Sequence, residues 1–156
     1  MKSDVNNPNL SLPYHIRGAF RGFETALGRT LATKNLPLSH FHILRLQWYE
    51  EGYTQKDIAD KAFMTESVTS QVIKNMVKGG LLDRKADRSD ARKKRVYLTQ
   101  KGLDLRESIL VPGIETSQIH APDISREDIN TTMEVLIKIR LAFNAYNAQY
   151  LSLIHI

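Results

Sequence analysis

The chain contains no cysteine. That excludes disulfide staples, a thiolate nucleophile, and zinc or iron–sulfur centres with cysteine ligands. Long hydrophobic runs are missing as well: no apolar stretch approaches the roughly 18 residues that a membrane-spanning helix needs. The N-terminal MKSDVNNPNL lacks the apolar core of a signal peptide, so the expectation is a cytoplasmic protein without membrane contact. There is no GxGxxG, no Walker loop and no HExxH. His40 and His42 are two apart, and such positions point away from each other on a helix, which argues against a metal pair. These gaps lead away from an enzyme, with neither cofactor nor metal expected.

What is present is an ordinary globular composition with an uneven charge. At 156 residues, 42% hydrophobic and 25% charged, the chain suits one domain, or one domain with a helical appendage. Its net charge is +5, yet the segment from Lys74 to Arg106 holds eleven basic residues against four acidic ones. The remainder of the chain is therefore net acidic by two. A basic patch on a near-neutral body is the footprint of a polyanion binder, because phosphates are met by one face. The plainer alternative is a solvated basic surface with no nucleic-acid role.

Periodicity predicts helices almost throughout. Ser11 is the expected cap of a first helix with Pro13 in its first turn and Ile16, Phe20, Phe23, Leu27 and Leu31 on one side, ending before Pro37. Ser39 is the expected cap of a second, carrying Phe41, Leu44 and Trp48 and stopping near Gly52. Thr54-Gln55-Lys56-Asp57 has the shape of a capping box with Asp in place of Glu and opens a short third helix. Thr65 caps a fourth, closed by Gly79-Gly80. Residues 81–84 and 95–98 read as short strands joined by the charged loop. Thr99 caps a fifth helix, which Pro112-Gly113 is expected to interrupt, and Ser125 opens a sixth running to about Tyr150.

On a helical wheel the fourth helix has an apolar half of Val68, Val72, Ile73, Met76 and Val77. Ser67, Ser70, Gln71, Lys74, Asn75 and Lys78 form the other half, which holds no carboxylate. Such a face donates to phosphates and reads base edges without repelling the duplex. Thr69 falls within the apolar arc, where its hydroxyl either back-bonds to the preceding turn or lies at an edge. A capped short helix, a turn, a polar-faced helix, a strand, a basic loop and a returning strand make a winged helix-turn-helix. The fold expected is mainly α with a small β-hairpin wing.

At LTQKG, residues 98–102, preceded by Asp87, Asp90 and Arg92 in DRSDARKKRVYLTQKG, and with Val68-Thr69 and Gly80-Leu81-Leu82-Asp83-Arg84 upstream, the chain resembles the MarR family of bacterial transcriptional regulators. The similarity is strongest over residues 36–105. It implies a homodimer in which the first, fifth and sixth helices intertwine, a winged helix-turn-helix over residues 36–98, and a helical dimerisation region at 11–35 and 99–150, with residues 1–10 a flexible N-terminus. It also implies a pseudo-palindromic operator in double-stranded DNA, repression, and release by a small aromatic or phenolic acid. Ser70 departs from the basic residue common in the family after the Val-Thr pair, and His40 from the Gln or aromatic common at its position.

The expected division of labour is physical. Lys74, Lys78, Lys93, Lys94 and Arg95 neutralise phosphates. Ser67, Thr69, Ser70 and Gln71 read bases. Arg88 or Arg92 enters the minor groove, oriented by Asp87 or Asp90. Backbone amides at Gln55 and Glu66 meet phosphate at helix N-termini. Gly18 and Gly22, four apart in the first helix, need a compensating role: close packing in a dimer, or a cavity for a ligand ring. Arg17 and Arg21 beside them would pair with a carboxylate effector, with His15, His40 and Trp48 supplying a hydrogen bond and a stacking surface. Two other readings are a metal-responsive regulator and a winged-helix interaction module that does not touch DNA.

Overall fold

The computed structural model describes residues 7–87, 89–90, 92–117 and 123–154. The chain divides into two units, residues 1–118 and residues 119–156. In the first, a 3₁₀ turn at Pro8–Leu10 leads into α1 (Leu12–Ala32), α2 (Leu38–Tyr49), α3 (Gln55–Ala62) and α4 (Glu66–Lys78). The strands β1 (Leu82–Ala86) and β2 (Lys94–Leu98) and then α5 (Gln100–Ser117) follow. The second unit holds α6 (Arg126–Ile154). The mainly helical class with one hairpin holds.

Four of the six expected caps form. Thr54 accepts from the Asp57 amide while Asp57 accepts from the Thr54 amide, a complete capping box. Thr65 accepts from Val68 N–H, Thr99 from Gly102 N–H, and Ser125 exchanges the same reciprocal bonds with Asp128. Ser11 makes no side-chain cap bond. Pro13 at the second helical position has no N–H to offer, so half of the possible cap donors are gone. Ser39 lies inside α2, whose N-cap is Pro37 in an extended conformation. Pro112-Gly113 does not interrupt α5, which runs through to Ser117; an interior proline removes one backbone rung, and the rungs on either side persist.

The core of the first unit is one cluster to which α1–α5 and both strands contribute: Leu27 and Leu31 from α1, Ile43 and Leu44 from α2, Ile58 from α3, Ile73 and Met76 from α4, Leu82 from β1, Val96 from β2 and Ile109 from α5. Each such burial is worth about 1.5–3 kcal/mol relative to exposure. The hairpin is antiparallel, in register from Leu82 opposite Leu98 to Ala86 opposite Lys94. It is tied to the helices by a bridge between Thr54 and Arg95, where Gly52 N–H donates to the Val96 carbonyl and Val96 N–H to the Tyr53 carbonyl, both at 3.0 Å. The segment entering α3 therefore fixes where the hairpin projects.

Candidate nucleic-acid interface

The turn between α3 and α4 is set by Phe63, which adopts a left-handed conformation at φ 55° although it is neither glycine nor asparagine. Met64 N–H reaches back to the Ala59 carbonyl at 3.0 Å, and α4 starts at once from Thr65. At the other end Leu81 N–H donates to the Met76 carbonyl and Gly80 N–H to the Val77 carbonyl, a Schellman closure with Gly80 at φ +71°. Both ends of α4 are thereby fixed by local chemistry.

The outward side of α4 presents Ser67, Gln71, Lys74 and Lys78 as exposed residues, with Ser70 half-buried. Gln71 donates its amide to Asn75 Oδ1 at 3.0 Å, which aligns the two side chains along one face. Thr69 must be corrected as a base-reading residue: it is fully buried, and its hydroxyl has no hydrogen-bond partner among the described residues. It sits near the middle of the apolar arc, between Val72 and Ile73 on the wheel, and a hydroxyl does not move a residue off that face. Val68, counted with the apolar half, is 49% exposed at the rim of the arc. Its position beside Ser67 suits contact with a thymine methyl.

Both wing aspartates hold an arginine. Asp87, with a side chain only 5% exposed, accepts from Ser89 N–H at 2.7 Å, from the Ser89 hydroxyl at 2.5 Å and from Asp90 N–H at 3.0 Å through one oxygen. Its other oxygen accepts from Arg95 Nε, and Arg95 Nη1 donates to the Gly52 carbonyl at 2.7 Å. The Ser89 hydroxyl and then the Arg95 guanidinium hold the Asp87 carboxyl far below the usual carboxylate range, and Asp87 in turn raises Arg95. Arg95, expected on phosphate, thus spends its guanidinium on Asp87 in the wing and on the Gly52 carbonyl before α3. Asp90 pairs with Arg92 Nε at 3.1 Å, leaving the Arg92 side chain 91% exposed. Lys93 and Lys94 are exposed, and Arg88 lies outside the described residues.

Between the starts of α3 and α4 and the wing lies an open cleft lined by Gln55, Lys56, Arg84, Arg92, Lys93 and Lys94. Asp57 and Glu66 also line it, but basic groups predominate. Lys56 and Arg84 were not among the expected contacts. The signal for them was position: Lys56 follows the Thr54 cap by two residues, and Arg84 faces Val96 across the hairpin. The cleft joins the amides of two helix N-termini to a ring of cations, which is the chemistry a phosphate backbone requires.

The residues expected to hold an effector are dispersed. His15 is exposed and shares a 2.9 Å hydrogen bond with the Asn9 carbonyl. Arg17 and Arg21 are exposed on α1. His40 is half-buried at the start of α2, and burial lowers its pKa. Trp48 is buried, edge-on to Phe41, with its indole N–H donating to the Gly102 carbonyl at 3.0 Å, so it is part of the core. Among the described residues no hydrogen bond or ring contact joins any two of the five. A Cβ on Gly18 or Gly22 would meet nothing within 4 Å among the described residues, so none of these requires glycine there. No group of three or more His, Asp or Glu is placed to hold a metal among the described residues.

A helix-turn-helix whose second helix leads directly into a two-stranded basic wing defines the winged helix-turn-helix class. Residues 36–94 match the model of the MarR family. Over 105 residues, 67% of this chain, it is 27% identical to the HTH-type transcriptional regulator TtmR of Methylorubrum extorquens (strain PA1), and it spans 54% of that relative's length. Its fold matches that of Bordetella bronchiseptica BpsR, whose DNA binding is regulated by 6-hydroxynicotinic acid. That match has a TM-score of 0.76 and 18% identity over 84% of this chain and 94% of the other. It likewise matches CouR from Rhodococcus jostii RHA1 bound to p-coumaroyl-CoA, with a TM-score of 0.76 and 20% identity over 85% and 93% of the two chains. The fold is that of the MarR-family transcriptional regulators.

Proposed function

We propose that this chain is a sequence-specific DNA-binding transcriptional repressor that acts as a homodimer on a pseudo-palindromic operator. The observation that carries the reading is the exposed face of α4, free of carboxylates beyond Glu66, set beside a wing whose Arg92, Lys93 and Lys94 project into solvent. Ser67 and Gln71 read base edges in the major groove, with Gln71 suited to adenine and Val68 to thymine. Lys74, Lys78, Lys93 and Lys94 neutralise phosphates, and Arg92, steered by Asp90, enters the minor groove. Gln55 and the first amides of α4 meet the backbone at helix N-termini. Residues 36–98 form the reading domain, and 11–35 with 99–150 the dimerisation region.

The dimer is supported by apolar surface that each unit leaves exposed: Leu12, Ile16 and Phe20 on α1, and Leu136, Leu141, Phe143 and Tyr146 on α6. Release by a small aromatic or phenolic acid is supported by the acid named for BpsR and by the exposed Arg17 and Arg21 on α1. A mobility shift on the DNA upstream of its own gene tests the reading. Retardation that weakens steeply with salt and is reversed by salicylate, benzoate or a hydroxycinnamate is the expected result. No retardation at low salt contradicts DNA binding, and retardation indifferent to all three acids contradicts the effector class alone.

A further inference from the structure

The C-terminal end of α4 is held from a direction that the wing does not explain. Three successive carbonyls past the helix are captured by the start of α5. Lys101 Nζ donates to Gly79 O at 2.9 Å, the Thr99 hydroxyl to Gly80 O at 2.6 Å, and Thr99 N–H to Leu81 O at 3.1 Å. The same Thr99 hydroxyl accepts from Gly102 N–H at 3.1 Å, so one oxygen closes the end of α4 and caps the start of α5. Gly102 lets the two backbones meet: a Cβ there would lie 2.3 Å from Leu81 O. Trp48 of α2 secures the joint by donating to Gly102 O.

The electrostatics single out Lys101. It stands in the first turn of α5, where a cation opposes its own helix dipole, and that turn has no acidic residue to offset it. Its ammonium instead reaches the C-terminal end of α4, where a cation is favoured. The leverage is large. A helix of 13 residues is about 20 Å long. A tilt of roughly 5° about its C-terminal anchor moves the Ser67 end by nearly 2 Å, more than a hydrogen bond of about 2.7–3.2 Å tolerates.

We propose that Thr99 and Lys101 are positioning residues for DNA recognition: by holding carbonyls 79–81 they make α5, which carries Ile109 into the core, set the angle at which α4 meets the groove. This rests on the reading of α4 as the recognition helix. Ser67 and Gln71 touch the bases; Thr99 and Lys101 act only through them. A shift of α5 therefore reaches the reading face through three hydrogen bonds.

The experiment compares wild type, Lys101→Met, Lys101→Arg and Thr99→Val by fluorescence anisotropy. The probes are a duplex enriched by the wild-type chain from a random pool and an unselected duplex of equal length, with thermal unfolding measured alongside. The expected result is that Lys101→Met loses about tenfold or more on the enriched duplex and less than twofold on the unselected one. Its Tm should stay within about 2 °C of wild type, and Lys101→Arg should restore selectivity. Thr99→Val should lose selectivity in the same sense. Equal losses on both duplexes with a salt slope lower by about one overturn the proposal in favour of a phosphate contact. Unchanged selectivity in both variants overturns it outright. A wild type that enriches no duplex overturns the DNA reading itself, which is a different failure from wild-type enrichment with indifferent variants.

Discussion

Thr69 and Phe63, six positions apart, are the two residues of the helix-turn-helix whose local chemistry runs against stability. The Thr69 hydroxyl is buried without a partner, a condition that costs about 1–3 kcal/mol. Thr69→Val is therefore expected to raise stability by about 1 kcal/mol, or roughly 2–4 °C in thermal unfolding, and to leave DNA selectivity unchanged. A loss of selectivity without a gain in Tm would return Thr69 to the reading face. Phe63 holds a left-handed conformation that penalises a side chain by about 1–2 kcal/mol, and it remains 74% exposed. Phe63→Gly is expected to stabilise by about 1 kcal/mol in the same assay, because glycine adopts that conformation freely. An unchanged or lower Tm would mean that the ring contributes more than the backbone costs.

At the scale of elements, the wing and the helix caps carry carboxylates whose bonds exist only when ionised. Hydrogen bonds from Thr54 hold Asp57 below its ordinary pKa, those from Ser125 do the same for Asp128, and Asp87 is lowered by Ser89 and Arg95. Such groups contribute stability that is fully present above the unfolded value near 4 and is lost as pH falls through the lowered folded values. His40 and His42, lowered by burial, add an earlier decline, because below about pH 6.5 the unfolded chain takes up protons that the folded one does not. Thermal unfolding against pH should show both limbs, and Asp57→Asn should flatten only the lower one. Neutralising Lys93 and Lys94 together should weaken binding to any duplex and reduce the salt slope by roughly one unit per lost contact. An unchanged slope would remove the wing from the interface.

The elements were largely legible because their signals are local. A threonine followed three residues later by aspartate, or a Gly-Gly pair after an amphipathic stretch, states a helix end within a few residues, and Thr54, Thr65 and Gly79-Gly80 did so. The failures came where a neighbour changed the chemistry. Pro13 and Pro37 displaced the serine caps, and Pro112 did not stop its helix. The site was legible as charge and order, but not as partnership. Sequence could place an aspartate near an arginine; only the folded chain assigns Asp87 to Arg95 across the hairpin and Asp90 to Arg92 within its loop, or brings Lys101 to a carbonyl 22 residues away. The residues expected to hold an effector were the least legible, because spacing along α1 does not say which side chains meet in space, and none of the five bond one another among the described residues.

At the scale of the whole molecule, the proposal ties a monomer with one reading helix to a symmetric target. Each unit leaves apolar side chains exposed, Phe20 at 53% in the first and Phe143 at 60% in the second, more than a solitary chain needs. A two-fold dimer would cover them and place two copies of α4 about one turn of DNA apart, or 10–10.5 base pairs centre to centre. The measurement that tests this most directly is selection of random-sequence duplexes on the full chain, followed by sequencing of what is retained. The account predicts a two-fold symmetric motif with half-sites spaced by about one helical turn, lost when Gln71 and Lys74 are both replaced by alanine. Retention of no sequence above the unselected pool would contradict it.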